Sequence, residues 1–254
     1  MRWQAEAVWE AVAPLLPGFT VEVLPEVDSS NSELMRRARA GRTEPVLLVV
    51  ERQTAGRGRL GRAWHSAPGD SLTFSLGLAL APADWSGLSL AVGVSLAESL
   101  HPRVRLKWPN DLWLDDRKLA GILIETASFG AGGPGVRQAV IGVGINIAPR
   151  PAEGLSTPPA ALRELLPDID ASAALLRVVP ALVRDVLGFA QSGFAPFHAR
   201  FDARDALRDR AVTLSDGTAG TAHGVGEDGS LLVHTAAGLH AIGSSEVSVR
   251  PADR

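Results

Sequence analysis

Lys107-Trp108-Pro109-Asn110-Asp111-Leu112-Trp113-Leu114-Asp115-Asp116-Arg117-Lys118-Leu119-Ala120-Gly121-Ile122-Leu123-Ile124-Glu125 is the stretch on which the fold turns. Two apolar runs, 112–114 and 119–126, flank the polar triplet Asp115-Asp116-Arg117, and that layout predicts a β-hairpin. A strand that returns at once pairs antiparallel, whereas parallel pairing needs a long crossover. Upstream, 104–107 reads as a short strand, 87–100 as a helix, 71–80 as an alternating strand, and 46–50 as a strand buried on both faces. Residues 3–16 carry helical spacing closed by Pro14 and Pro17-Gly18, and 21–27 reads as a strand. Ser30-Asn31-Ser32-Glu33 fits the S-x-x-E capping box ahead of a helix reaching about Ala40.

Downstream, the glycine-rich stretch 130–135 leads into a strand over 138–147. A helical pattern follows over 160–201, interrupted near Gly193 and Pro196. Beyond Arg204 the chain changes to short strands separated by Asp216-Gly217, Asp228-Gly229 and Ala237-Gly238. No fixed-period repeat and no regular βαβ order are visible. The expectation is α+β, a mixed, largely antiparallel sheet with helices packed against it, spanning 1–206, plus a small C-terminal β-barrel over 207–254.

Composition narrows the chemistry. The 254 residues are 46% hydrophobic and 21% charged, enough for a substantial core. No apolar run is long enough to suggest a membrane span, and the N-terminus lacks a secretory layout, so a cytoplasmic protein without membrane association is expected. With no cysteine there is no disulfide, no thiolate metal site and no cysteine nucleophile. The six histidines are scattered without metal-ligand spacing, and no metal ligand is expected among the side chains. A net charge of -3 gives no global reason to expect nucleic-acid binding. Of the 25 basic residues only two are lysines, Lys107 and Lys118, and both fall in the hairpin stretch. A compact ammonium retained in a chain that otherwise uses arginine suggests sites where a planar guanidinium would not fit.

A second segment, Gln53-Thr54-Ala55-Gly56-Arg57-Gly58-Arg59-Leu60-Gly61-Arg62, contains G-x-G-x-x-G. It lacks the helix a dinucleotide fingerprint needs and the G-K-[ST] of a Walker loop. Its arginines offer forked donors to phosphate or carboxylate, and its glycines let the backbone approach a ligand. A solvated flexible loop or an RGG-like nucleic-acid contact remains an alternative at this point. If both lysines, Asn110 and Asp111 converge with the arginine loop, the positive patch suits a small polyanion.

Together, Gly56-Arg57-Gly58-Arg59-x-Gly61-Arg62, Lys107-Trp108-Pro109-Asn110-Asp111 and 118–125 resemble the signature of the biotin–protein ligase family, and Asp28-Ser29-Ser30-Asn31 and Gly142-Val143-Gly144-Ile145-Asn146 resemble two further segments of it. The resemblance implies a class II synthetase-like fold with a small C-terminal SH3-like barrel. It also implies a two-step reaction: biotin and ATP, with Mg²⁺, give biotinyl-5′-AMP, and a lysine of a biotin carboxyl carrier protein then takes the biotinyl group. By the same resemblance Ser29, Ser30, Asn31, Gln53, Arg57, Gly58, Arg59 and Lys118 contact biotin, and Gly121 allows close approach. Arg62, Trp64, Asn110 and Asn146 match nucleotide positions, Arg250 matches a terminal basic residue that reaches the nucleotide, and Gly56 and Lys107 complete the binding set. Lys118, Arg57 and Arg59 are the expected catalytic cations, and Asp111 is the group expected to hold or deprotonate the acceptor lysine.

Where the family commonly has Ser-Thr-Asn this chain has Ser29-Ser30-Asn31, which keeps the hydroxyl. The segment before Asp28 is too short for a helix-turn-helix domain, so DNA binding is not expected, while an edge strand offers a route to a homodimer. A lipoate–protein ligase is the nearest alternative enzyme, and the arginine loop with Lys-Trp-Pro-Asn-Asp favours biotin. Octanoyl transfer through a thioester lacks its cysteine.

Overall fold

The computed structural model describes residues 2–128, 133, 135–152, 157–243 and 249–252. Most of the glycine-rich stretch 130–135 therefore lies outside the described residues. Among the described residues no helix is long and apolar enough to cross a membrane.

The chain opens with α1 (Ala5–Val12), β1 (Thr20–Val27), α2 (Ser30–Arg39), β2 (Val46–Gln53), β3 (Ser71–Leu80) and α3 (Leu88–Leu100). It continues with β4 (Arg105–Lys107), β5 (Asp111–Leu114), β6 (Arg117–Ala127), β7 (Arg137–Asn146), α4 (Ala171–Ser192) and α5 (Ala195–Asp202). The seven strands form one sheet in the order β1-β2-β3-β7-β6-β5-β4. Only β1 and β2 run parallel, joined by the α2 crossover; every other neighbouring pair is antiparallel. The deciding hairpin is present: Asp115 and Asp116, both at positive φ (48° and 59°), make the two-residue turn between β5 and β6. Two central residues at positive φ match the right-handed twist of the flanking strands.

Alternation along the strands separates the two faces of the sheet. Leu47 and Val49 of β2, Leu72, Phe74 and Leu76 of β3, and Ile141, Val143 and Ile145 of β7 join the main core with α1, α3 and α4. Leu48 and Val50 point the other way, and with Val140 they pack on Leu34 and Met35 of α2. Truncating a buried leucine such as Leu34 typically costs about 2–5 kcal/mol, so this small cluster fixes α2 against the sheet. Leu24, Val27, Val46 and Ala127 border this cluster, and beyond it the face turns to Thr73, Ser75, Gly142, Gly144 and Asn146.

Three local expectations are corrected. The N-cap of α2 is Ser29, whose side chain accepts from the Ser32 backbone N–H at 3.4 Å, so the cap lies one residue before the S-x-x-E reading. The Ser30 hydroxyl is thereby released toward Gln53, and Glu33 pairs instead with Arg36 and Arg37. The helical pattern from residue 160 does not form a helix until Ala171, where Asp170 caps the Ala173 N–H at 2.7 Å. Residues 159–160 instead run beside Lys118, and a single 3₁₀ turn, Leu162–Glu164, follows. The buried Ala160, Ala161 and Leu162 dock that segment, which explains the apolar spacing without a helix. The first helix is also shorter than its apolar pattern, ending at Val12 ahead of Pro14.

The C-terminal region is a five-stranded antiparallel sheet of β8 (Ala211–Leu214), β9 (Ala219–Val225), β10 (Leu231–Thr235), β11 (Gly238–Ile242) and β12 (Val249–Pro251), ordered β11-β10-β9-β8-β12. It is tied to the larger sheet through the indole of the buried Trp108, which donates to the Gly229 carbonyl at 3.0 Å. Backbone bonds of Leu106 with Arg204 and Ala206, both 2.8 Å, hold the segment leading into β8 against β4.

Candidate active site

A cavity of about 380 Å³ opens on the α2 face of the large sheet. Its floor comes from the start of α2 and the ends of β2 and β3. The Ser30 backbone N–H and hydroxyl both donate to Gln53 Oε1, at 2.7 and 3.0 Å. Ser75 Oγ donates to Asn31 Oδ1 at 2.6 Å and lies 2.7 Å from Ser30 Oγ. Asn31 Nδ2 donates to the Leu123 carbonyl at 3.1 Å and to Glu125 Oε2 at 3.0 Å. The alternate glycines of β7 make this possible: a Cβ on Gly142 would overlap the Asn31 carboxamide, and one on Gly144 would overlap the Trp64 indole.

One wall is the arginine loop, folded as a narrow flap. Its legs are joined by Gly58 N–H to Arg62 O at 2.7 Å and Trp64 N–H to Gly56 O at 2.9 Å. Leu60 sits at the tip with φ 54° and is largely exposed. Gly56 does not line the cavity; a side chain there would strike the Trp64 carbonyl, so its part is to let the legs close. Arg57, Gly58, Arg59 and Arg62 do line it.

The opposite wall is the β4–β5–β6 unit. Lys118 Nζ lies 2.7 Å from Asp111 Oδ1, and a Cβ on Gly121 would sit 3.2 Å from that ammonium, so glycine preserves the room around the pair. The Lys118 carbonyl accepts from the Ala160 N–H at 2.8 Å and from Asn146 Nδ2 at 3.0 Å, which pins the residue's backbone. Asn146 thus lies beneath the cavity rather than in its lining, and its Oδ1 is buried without a hydrogen-bond partner among the described residues. Asn110 lines the cavity while its Nδ2 donates to the Ile122 carbonyl at 2.8 Å.

Lys107 stands opposite Asp111 in the β4–β5 register, with its ammonium 5.7 Å from the centre of the Trp113 ring. Burial lowers its pKa from 10.5 to about 8; Asp111 opposes the shift, while Lys118, Arg62 and Arg59 add to it. Burial also lowers Arg59, which Asp111 partly offsets and Arg62 reinforces. Lys107, Lys118 and Arg59 therefore gather around Asp111, the one acidic residue in the lining among the described residues, with Arg62 close to Lys107 and Arg59.

Ser29, Ser30, Asn31, Gln53, Arg57, Gly58, Arg59, Arg62, Trp64, Lys107, Asn110, Asp111, Lys118 and Gly121 all line the one cavity, and Arg250 reaches it from β12; Gly56 and Asn146 stand behind the wall. Sequence reasoning missed Thr73, Ser75, Arg150 and Glu125. Thr73 and Ser75 were legible as hydroxyls at alternate positions of a buried strand. Arg150 stacks over the Trp64 ring at 5.5 Å and lines the cavity from the loop after β7, where nothing in the pattern marks it. Glu125 ends the motif 118–125, and no local signal marks a role for it.

A model of the biotin/lipoate A/B protein ligase family matches residues 24–146. The chain is 36% identical over 251 residues to the bifunctional ligase/repressor BirA of Escherichia coli, covering 94% of this chain and 77% of that protein. It is 33% identical over 240 residues to the biotin–[acetyl-CoA-carboxylase] ligase of Paracoccus denitrificans, covering 89% and 98%. Among solved structures, the biotin protein ligase from Aquifex aeolicus in complex with biotin and ATP superposes with a TM-score of 0.78 at 30% identity, covering 91% of this chain and 99% of that one. With motifs, architecture and relatives in agreement, the chain belongs to the biotin–protein ligase family.

Proposed function

We propose that this biotin–protein ligase uses the cavity over α2 for both half-reactions, and that the named lining residues divide the work between them. In the first, an oxygen of the biotin carboxylate attacks the α-phosphorus of ATP, the bond to the β-phosphate oxygen breaks, and pyrophosphate leaves biotinyl-5′-AMP. Two anions must approach, so the barrier is largely electrostatic and fixed cations lower it. Lys118 bridges carboxylate and α-phosphate, Arg57 and Arg59 hold the carboxylate side, and Lys107 and Arg62 face the nucleotide. Ser29, Ser30, Asn31 and Gln53 offer hydrogen bonds to the polar end of biotin. Trp64, Asn110 and Arg250 border the nucleotide, and Asn146 acts by fixing the Lys118 backbone.

In the second half-reaction the acceptor lysine of a biotin carboxyl carrier protein attacks the biotinyl carbonyl, an amide forms, and AMP leaves. An ordinary lysine has a pKa of about 10.4 and is protonated at neutral pH. Asp111 is placed to orient that ammonium and take its proton. The flap covers the mixed anhydride and keeps water from it. The region 1–206 carries the chemistry, with 207–254 contributing the Arg250 wall.

Mg²⁺ belongs to this reading as part of the ATP substrate. The described residues hold no group of three or more acidic or histidine side chains suited to a metal ion, and Mg²⁺ commonly binds through substrate phosphates with one or two carboxylates. Asp111 is the available carboxylate, already 2.7 Å from Lys118, so no step is assigned to the ion.

The observation that supports this reading most is the convergence of the flap arginines and both lysines on one cavity. The test is exchange of labelled pyrophosphate into ATP. Exchange that depends on biotin and is not supported by lipoate is expected; exchange with lipoate, or none with biotin, would overturn it.

A further inference from the structure

Arg57 of the flap pairs with a carboxylate across the cavity mouth. Its Nη2 donates to both oxygens of Glu125 on β6, at 3.0 and 2.8 Å, although the two residues are 68 positions apart in the chain. Both bonds leave from the same nitrogen, so Nη1 and Nε are not spent on Glu125. The same Oε2 accepts from Asn31 Nδ2 at 3.0 Å, and Asn31 is itself fixed by Ser75 at 2.6 Å and by the Leu123 carbonyl at 3.1 Å. A polar chain therefore runs from the cavity floor through Asn31 and Glu125 to the flap.

We propose that Glu125 is the positioning residue that holds Arg57, and with it the flap, in the orientation that receives the biotin carboxylate. This rests on the reading of Arg57 as a biotin-binding residue. The Arg57 side chain is 45% exposed and that of Glu125 27% exposed, and ion pairs at such exposure add little stability. What the pair supplies is order. An arginine free in solvent samples many rotamers that binding must then freeze, and fixing one nitrogen beforehand reduces that cost while leaving the other donors for the ligand. The glutamate closing the Lys118-to-Glu125 motif thereby acquires a function on the flap.

The test is a double-mutant cycle read by biotin-dependent pyrophosphate exchange on the full chain, with Arg57→Ala, Glu125→Ala and both together. Glu125→Ala is expected to raise the biotin KM about tenfold while leaving the ATP KM within about twofold, and to add nothing further once Arg57 is alanine. Should Glu125→Ala fold poorly, Glu125→Gln keeps the volume and an acceptor for Asn31 and is read in the same cycle. Losses that multiply, or a biotin KM unchanged by the Glu125 variants, would overturn the proposal while the impaired Arg57→Ala leaves the functional reading standing. An Arg57→Ala enzyme with normal biotin KM would instead remove the functional reading, and this inference with it.

Discussion

Along β3, Leu72, Phe74 and Leu76 enter the core beneath α1, α3 and α4, while Thr73 and Ser75 alternate with them and face α2. Along β7, Ile141, Val143 and Ile145 do the former, and Gly142, Gly144 and Asn146 take the opposite side. The same strands thus carry an apolar face packed to closure and a face of hydroxyls, glycines and amides left open as a cavity. Stability resides mainly on the first and ligand recognition on the second. The second face bears a cost: Thr73 Oγ1 and Trp64 Nε1 are buried without partners among the described residues, and an unsatisfied buried polar group typically costs about 1–3 kcal/mol. A ligand that supplies those partners recovers it.

If the faces divide in this way, substitutions on them should separate activity from stability. The largest effect is expected from Lys118→Arg on the cavity face. A fork cannot take the place of a point charge held 2.7 Å from Asp111, and adenylate formation should fall about 100- to 1000-fold with little change in Tm. Near-normal pyrophosphate exchange in that variant would break the comparison. On the core face, Leu76→Ala should lower the unfolding free energy by about 2–5 kcal/mol in denaturant titrations while the biotin KM stays close to wild type. Gly144→Ala sharpens the boundary, since its methyl meets the Trp64 ring; the ATP KM should rise about tenfold and the biotin KM much less.

How far these faces could be read from the chain depends on the range of the interactions. The β5–β6 hairpin was legible because its signal is local, an Asp-Asp turn between apolar runs. The paired glycines 142 and 144 were recognisable as a motif, but their reason, room for Asn31 and Trp64, exists only once β7 lies beneath both. The cap of α2 falls one residue before the S-x-x-E pattern because Ser29 and Ser30 offer equivalent hydroxyls, and the choice is made by Gln53 and Ser75 from distant strands. Residues 160–170 carried helical spacing because docking along Lys118 also needs buried apolar groups at short intervals. The Arg57–Glu125 pair and the stacking of Arg150 on Trp64 depend on tertiary contacts between segments that carry no complementary local pattern.

The smallest effect concerns Lys107. Its ammonium gives up its proton at about pH 8 in the folded chain against 10.5 ordinarily, so between those values the unfolded chain holds more protons and stability contributed by this group rises with pH. Below pH 8 the burial penalty is fully present. Lys107→Met should therefore flatten the alkaline limb of Tm against pH over that window. Phosphate brought near Lys107 would raise its pKa, so ATP binding at pH 8 should take up at most about half a proton in wild type and close to none in the variant, measured by calorimetry in buffers of differing ionisation enthalpy. Equal uptake by both proteins would place the nucleotide away from Lys107.

The central claim is that flap arginines and the Lys118–Asp111 pair serve one ligand in one cavity. Its most direct test is calorimetric titration with a non-hydrolysable biotinyl-adenylate mimic. One site per chain is expected, with affinity reduced more than about tenfold by Arg57→Ala and by Lys118→Ala alike. Two independent sites, or wild-type affinity in either variant, would contradict it.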